Sequence, residues 1–150
     1  MPQNLGLEKI ETVISLRQSN SFDKIAQHLE RFEKWNLLYK YPLRSYGWVF
    51  TPKGTKSVNA EDAYQLIVFI REGEFIIYLI IPDERFLFKY LDQLSDDSTF
   101  IFIKTDLIDG RQHQTYKTSD SAIQLGQSID GKNYLMVYPS ELYEKGVRIN

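Results

Sequence analysis

A chain of 150 residues with 43% hydrophobic and 25% charged side chains has the size and balance of one folded domain, which excludes a disordered tail. Its formal charge of -2, with basic residues scattered rather than clustered, disfavours a surface built to hold many phosphates. With no cysteine, it can form no disulfide, thiolate metal site or cysteine nucleophile.

The segment from Met1 lacks a basic stretch followed by an apolar one, so no signal peptide is expected and a cytoplasmic location is the default. Leu7, Ile10, Val13 and Ile14 recur at helical spacing, with Asn4 as a candidate cap. Ser19-Asn20-Ser21 interrupts this helix and offers the cap of a second one. There Phe22, Ile25, Ala26, Leu29 and Phe32 trace an apolar stripe. Basic Lys24, Arg31 and Lys34 on this helix are offset by Asp23, Glu30 and Glu33, so it is not a membrane-surface helix.

The period then changes. Leu37–Tyr41 and Tyr46–Thr51 read as strands with Pro42 between them, and Pro52-Lys53-Gly54-Thr55 opens a polar loop that runs to Asp62. Tyr64–Ile70 and Phe75–Ile81 flank Arg71-Glu72-Gly73-Glu74 and predict a β-hairpin in which Gly73 takes a positive φ. The run Phe75–Ile81 shows no alternation, so its strand is expected at the sheet centre or covered on both faces. It is the longest apolar run and falls well short of the ~20 residues that span a bilayer.

Pro82-Asp83-Glu84-Arg85 opens a third helix, with Phe86, Leu87, Tyr90, Leu91 and Leu94 as its buried stripe. Thr99–Leu107 and Gln112–Lys117 predict strands joined at Asp109-Gly110. Residues 119–127 fit either a short capped helix or a strand, since Ile123 and Leu125 alternate. Tyr134–Tyr138 predicts a strand, and Ser140 caps a last helical turn ended by Gly146. The order gives an α+β domain over residues 1–150: a mostly antiparallel sheet of about five to seven strands, with two or three helices on one face.

Chemistry is argued down by what is missing. Neither G-x-G-x-x-G nor a P-loop nor G-x-S-x-G nor H-E-x-x-H occurs, so no cofactor, metal or catalytic residue is assigned. The acidic pairs Asp83-Glu84, Asp96-Asp97 and Asp106 with Asp109 coincide with turns and caps, where carboxylates serve the backbone. His28 belongs to the edge of a helix stripe. His113 approaches Asp106 or Asp109 across the hairpin and reads as a solvated strand histidine.

The departure from average is aromatic. The chain has ten Tyr, nine Phe and two Trp; Tyr39, Tyr41, Tyr46, Trp48, Phe50, Tyr64, Phe69, Phe75 and Tyr78 concentrate in the first half of the sheet, and residues 46, 48 and 50 share one strand face. These observations lead to a non-catalytic interaction domain that recognises a protein partner through an aromatic-rich sheet face or an exposed strand edge. The alternative is a small-molecule cup, either a binding or an enzymatic site, between curved sheet and helices. Tyr46, Trp48, Tyr64 and Tyr78 line it there, and Arg44 or Arg71 meets an anionic group. Single-stranded nucleic-acid binding ranks third, because the aromatics have only Arg44, Lys40 and Lys53 as electrostatic support.

Overall fold

A computed structural model describes residues 7–31, 35–41, 47–52, 64–127 and 131–146, with the backbone alone at 30, 31, 35–41, 47, 51 and 52. The elements run α1 (Ile10–Ser19), α2 (Phe22–Arg31), β1 (Trp35–Tyr41), β2 (Gly47–Pro52), β3 (Gln65–Arg71), β4 (Glu74–Ile81) and α3 (Glu84–Asp96). After them come β5 (Ile101–Ile108), β6 (Arg111–Lys117), β7 (Ser121–Gln127), β8 (Asn133–Pro139) and α4 (Ser140–Glu144). This is the expected α+β arrangement, with an antiparallel sheet throughout. The sheet has eight strands, because the ambiguous segment after Ser119 is the strand β7: its period-two pattern wins over the capping serine.

The strand order is β1-β2-β3-β4-β8-β7-β6-β5. Within each half, strands that follow one another in the chain pair antiparallel, and the halves meet where β4 pairs with β8. The β3–β4 and β5–β6 hairpins each carry two consecutive positive-φ residues, Glu72-Gly73 and Asp109-Gly110, as a type I′ turn requires. The helix α3 carries the chain from β4 at the centre to β5 at the far edge.

Register sorts the side chains. The row Trp48, Val68, Ile77, Val137, Ile123, Tyr116 and Phe102 points to one face, and α1 and α3 lie over its β4 and β8 portion while α2 lies near β1. Beneath the helices the core joins Leu66, Val68, Ile77, Leu79, Leu135 and Val137 to Ile10, Val13, Ile25, Leu29, Phe86 and Tyr90. The next row, Val49, Ile67, Tyr78, Met136, Gln124, Thr115 and Lys104, points to the opposite face. There Ile76, Ala122, Tyr134, Met136 and Tyr138 form a second cluster with Leu142 of α4.

The helices are fastened by polar contacts at their ends. Asp83 caps α3 by accepting from the Arg85 backbone N–H at 2.9 Å, as the sequence suggests. Helix α1 starts at Ile10, and its preceding residue Lys9 offers no side-chain cap. Gln93 of α3 supplies one from outside: its Oε1 accepts from the Ile10 N–H at 2.7 Å, and its Nε2 donates to the Glu8 carbonyl at 2.8 Å. The Tyr90 hydroxyl donates to the Leu7 carbonyl beside it. Asn4 lies outside the described residues. At the other end of α1, Asn20 takes a left-handed conformation and its Oδ1 accepts from Phe75 N–H at 2.9 Å, which ties the α1–α2 turn to β4. Arg17, nearly fully buried, donates to Asp120 and to Ser121 Oγ and so locks α1 to the β6–β7 turn.

One glycine is required by packing rather than by a turn. A Cβ on Gly126 of β7 would stand 2.3 Å from the Gln112 carbonyl oxygen and 3.1 Å from His113 Cα, both backbone atoms of β6. Gly126→Ala is therefore expected to cost about 1–3 kcal/mol as the two strands are forced apart. Urea unfolding of the purified variant measures it, and an unchanged midpoint would contradict the close approach.

Candidate interaction edge

The residues singled out by composition do not converge on one place. Trp48 lies beneath the helices, stacked on Phe22 at 4.6 Å between ring centroids. Tyr64 is buried on the same side and meets Phe86 edge-on at 5.9 Å. Burial pushes its phenol up to about 12, with Asp83 adding to the rise. Tyr78 belongs to the opposite face, stacked in parallel on Tyr134 at 5.3 Å. Arg71 is exposed beside the β3–β4 turn. Tyr46 and Arg44 lie outside the described residues.

The opposite face carries an aromatic row that the sequence does not disclose. Gly126, directly between His113 and Tyr134 in the register, has no side chain to separate them. His113 Nδ1 lies 2.6 Å from the Tyr134 hydroxyl oxygen across this gap. His113 is thus buried, not solvated, although it does stand opposite Asp106 on β5 as its position suggests. Desolvation is the largest influence on its imidazole and lowers its pKa. The Asp106 carboxylate pulls the other way, and Arg111 adds to the lowering. Burial also raises the phenol of Tyr134, and raises that of Tyr138 to about 12. These hydroxyls keep their protons at neutral pH and cannot serve as bases there. Among the described residues no group of three or more acidic or histidine side chains is placed to hold a metal ion, and no helix is long and apolar enough to cross a membrane.

What stands open is the far edge of the sheet. The helices make their main contacts with the middle strands and β1, and β5 forms the outer strand at the other end of the sheet. Along β5, Ile101, Phe102, Ile103, Leu107 and Ile108 are exposed to 61, 51, 38, 72 and 49%. Phe88 on the outer side of α3 is exposed as well. A bulge between Phe102 and Lys104 disturbs the register with β6, and Phe102 rests edge-on against Tyr116 at 5.4 Å. Lys104 and Asp106 point to the face away from the helices and pair with each other at 3.2 Å. Beside this edge, a cleft of about 380 Å³ separates α3 from the ends of β6–β8. Phe88, Leu87 and Leu91 line one wall, and Gln112, Gln114, Gln127 and Asn133 the other.

The sequence predicts this strand, over Thr99–Leu107, but not its place at the sheet edge. Its apolar content resembles that of β4, and only the strand order reveals that one is central and the other an edge. The available signal was Phe88, an aromatic outside the helical stripe of Phe86, Leu87, Tyr90, Leu91 and Leu94. No protein family model, curated protein or solved structure matches the chain.

Because the His113 imidazole is held below its ordinary value, the unfolded chain takes up this proton first as the pH falls. The stability associated with neutral His113 is present above about pH 6.5 and is lost as the pH drops from there through the lower folded value. His113→Gln should flatten that part of the pH dependence. Denaturant unfolding of wild type and variant between about pH 7.5 and about pH 5.5 reads the difference, and equal slopes would refute the buried neutral ring.

Proposed function

We propose that this chain is a non-catalytic interaction domain that binds a protein partner along the β5 edge by adding a strand to its sheet. One observation carries the reading: five of the eight residues of an edge strand are large, apolar and exposed. Edge strands with unpaired backbone groups accept further strands, and proteins usually blunt such edges with lysine, proline or a covering loop. β5 has a bulge and one Lys104–Asp106 pair, with apolar residues on both sides of it. Each fully covered Leu, Ile or Phe contributes about 1.5–3 kcal/mol, so an uncovered row of five is a strong drive to associate. The aromatic-face version of the reading has less support, since Trp48, Phe50, Tyr64, Tyr134 and Tyr138 are packed among other side chains.

The absence of native cysteine gives a direct test. A photo-cross-linker on Thr105→Cys should capture a partner in the native host. That partner, once purified, should bind Leu107→Asp about tenfold or more weakly than wild type. Arg71→Ala, at the far hairpin, should bind normally. A partner indifferent to the charge at 107 counts against the edge.

A second reading, small-molecule binding, draws on the cleft beside α3, whose volume and four side-chain amides suit a polar ligand. A metabolite seated there raises the melting temperature of wild type, and less so that of the double variant Gln112→Ala and Gln127→Ala. Equal shifts in both proteins put the ligand elsewhere.

A further inference from the structure

We infer that the strand received by β5 is β5 of a second copy of this chain, paired antiparallel about a two-fold axis at Thr105. The inference rests on the edge-binding reading and adds the identity of the partner. It is carried by the order of residues along the edge: Ile101, Phe102, Ile103, Lys104, Thr105, Asp106, Leu107, Ile108.

An isologous contact requires a surface complementary to itself. In an antiparallel pair centred on Thr105, residue 104 faces residue 106 of the other copy and residue 103 faces residue 107. The hydropathy of β5 is symmetric about this centre, and its charge is antisymmetric. Ile103 then meets Leu107 of the second copy, and Lys104 meets Asp106 of the second copy, twice over. Directly opposed residues of an antiparallel pair share a sheet face, which is where opposite charges attract and like charges repel.

The arrangement of β5 and its neighbours fits the same geometry. Lys104 and Asp106 project to the same face, the one away from the helices, because their β6 partners are Thr115 and His113. In the isolated chain they bridge to each other at 3.2 Å with side chains 48% and 39% exposed, so both are free to exchange this contact for one across the interface. Thr105 and Leu107 project to the helix side, opposite Gln114 and Gln112. Leu107, at 72% the most exposed large apolar side chain among the described residues, is covered by Ile103 of the second copy. A two-fold axis perpendicular to the sheet keeps the helices of both copies on one side and merges two eight-stranded sheets into one. A foreign strand would need this same alternation of apolar, positive, small, negative and apolar residues. A second copy supplies it by symmetry.

The test is a charge swap. Wild type, Lys104→Asp and Asp106→Lys are purified, their folding is checked by circular dichroism, and each is followed by sedimentation equilibrium over a wide concentration range. Wild type should dimerise. Each single reversal places like charges opposite one another at both symmetry-related pairs and should raise the dimer dissociation constant by about 30-fold or more. An equimolar mixture of the two variants restores both pairs and should form a heterodimer close to wild type in affinity. The inference is overturned by a monomeric wild type, by reversals that associate as wild type does, or by a mixture that fails to pair. A monomeric wild type whose Thr105→Cys probe still captures a different protein through the edge removes the second copy and leaves the edge reading standing. A monomer without such a capture removes both.

Discussion

The pairing of β4 with β8 is the constraint on which the rest of the molecule depends. Each half of the sheet is a meander of strands that are neighbours in the chain, and β4 next to β8 is the long-range choice that makes one sheet of two. It places Phe75–Ile81 and Tyr134–Tyr138 at the centre, where most of their side chains are buried. It also decides what becomes of β5. With the place beside β4 taken by β8, α3 must cross the sheet, and the strand that follows it starts the second meander from the outside. The open apolar edge is thus a consequence of topology rather than of unusual local sequence.

The two faces of the sheet are built by different means. On the helix side, aliphatic residues from three helices fill the space, and the ends are fixed by directed polar contacts. Gln93 caps α1 in place of the missing local cap, Asn20 reaches β4, and the buried Arg17 meets Asp120 and Ser121. Such a buried guanidinium is weak evidence of stability, but it fixes where α1 sits, since removing either partner strands a charge. On the other side only the short helix α4 covers the sheet among the described residues, and rings do the packing. Tyr78 stacks on Tyr134, Tyr134 reaches His113 over Gly126, and Tyr138 leans toward Tyr143. The surplus of tyrosine noted in the composition is partly absorbed here, as large flat groups able to shield a sheet face that no long helix protects.

Much of this was legible in the residues. The hairpins at Gly73 and Asp109-Gly110, the cap at Asp83, the apolar stripes of the helices and the central position of Phe75–Ile81 all follow from local rules that hold whatever the fold. What depends on partners far away in sequence was not. Nothing around Gly126 says that a β6 carbonyl lies where its Cβ would be, and nothing around His113 says that Tyr134 covers it. The interaction edge is the clearest case. Thr99–Leu107 reads as a strand by composition, and strand order decides that its apolar residues lie at the surface while those of Phe75–Ile81 lie in the core. The aromatics that composition brought forward, Trp48 and Tyr64, turn out to hold the helices down, while the exposed apolar groups lie in a segment of ordinary composition.

An exposed apolar strand also invites uncontrolled stacking, and the charges at its middle bear on which assemblies are allowed. Stacked in parallel and in register, copies of β5 would set Lys104 over Lys104 and Asp106 over Asp106, with like charges repelling at every step. Turned antiparallel about Thr105, the same two residues attract. One lysine and one aspartate flanking a small residue therefore act in opposite senses on the two arrangements. A pair of lysines would have blocked both, and an uncharged centre would have permitted both. The bulge at Ile103 adds to the discrimination, because a local twist is tolerated at the end of one strand pair but accumulates in an extended stack. Pairing about the two-fold also uses up the β5 edge of each copy, so the interaction closes on itself there.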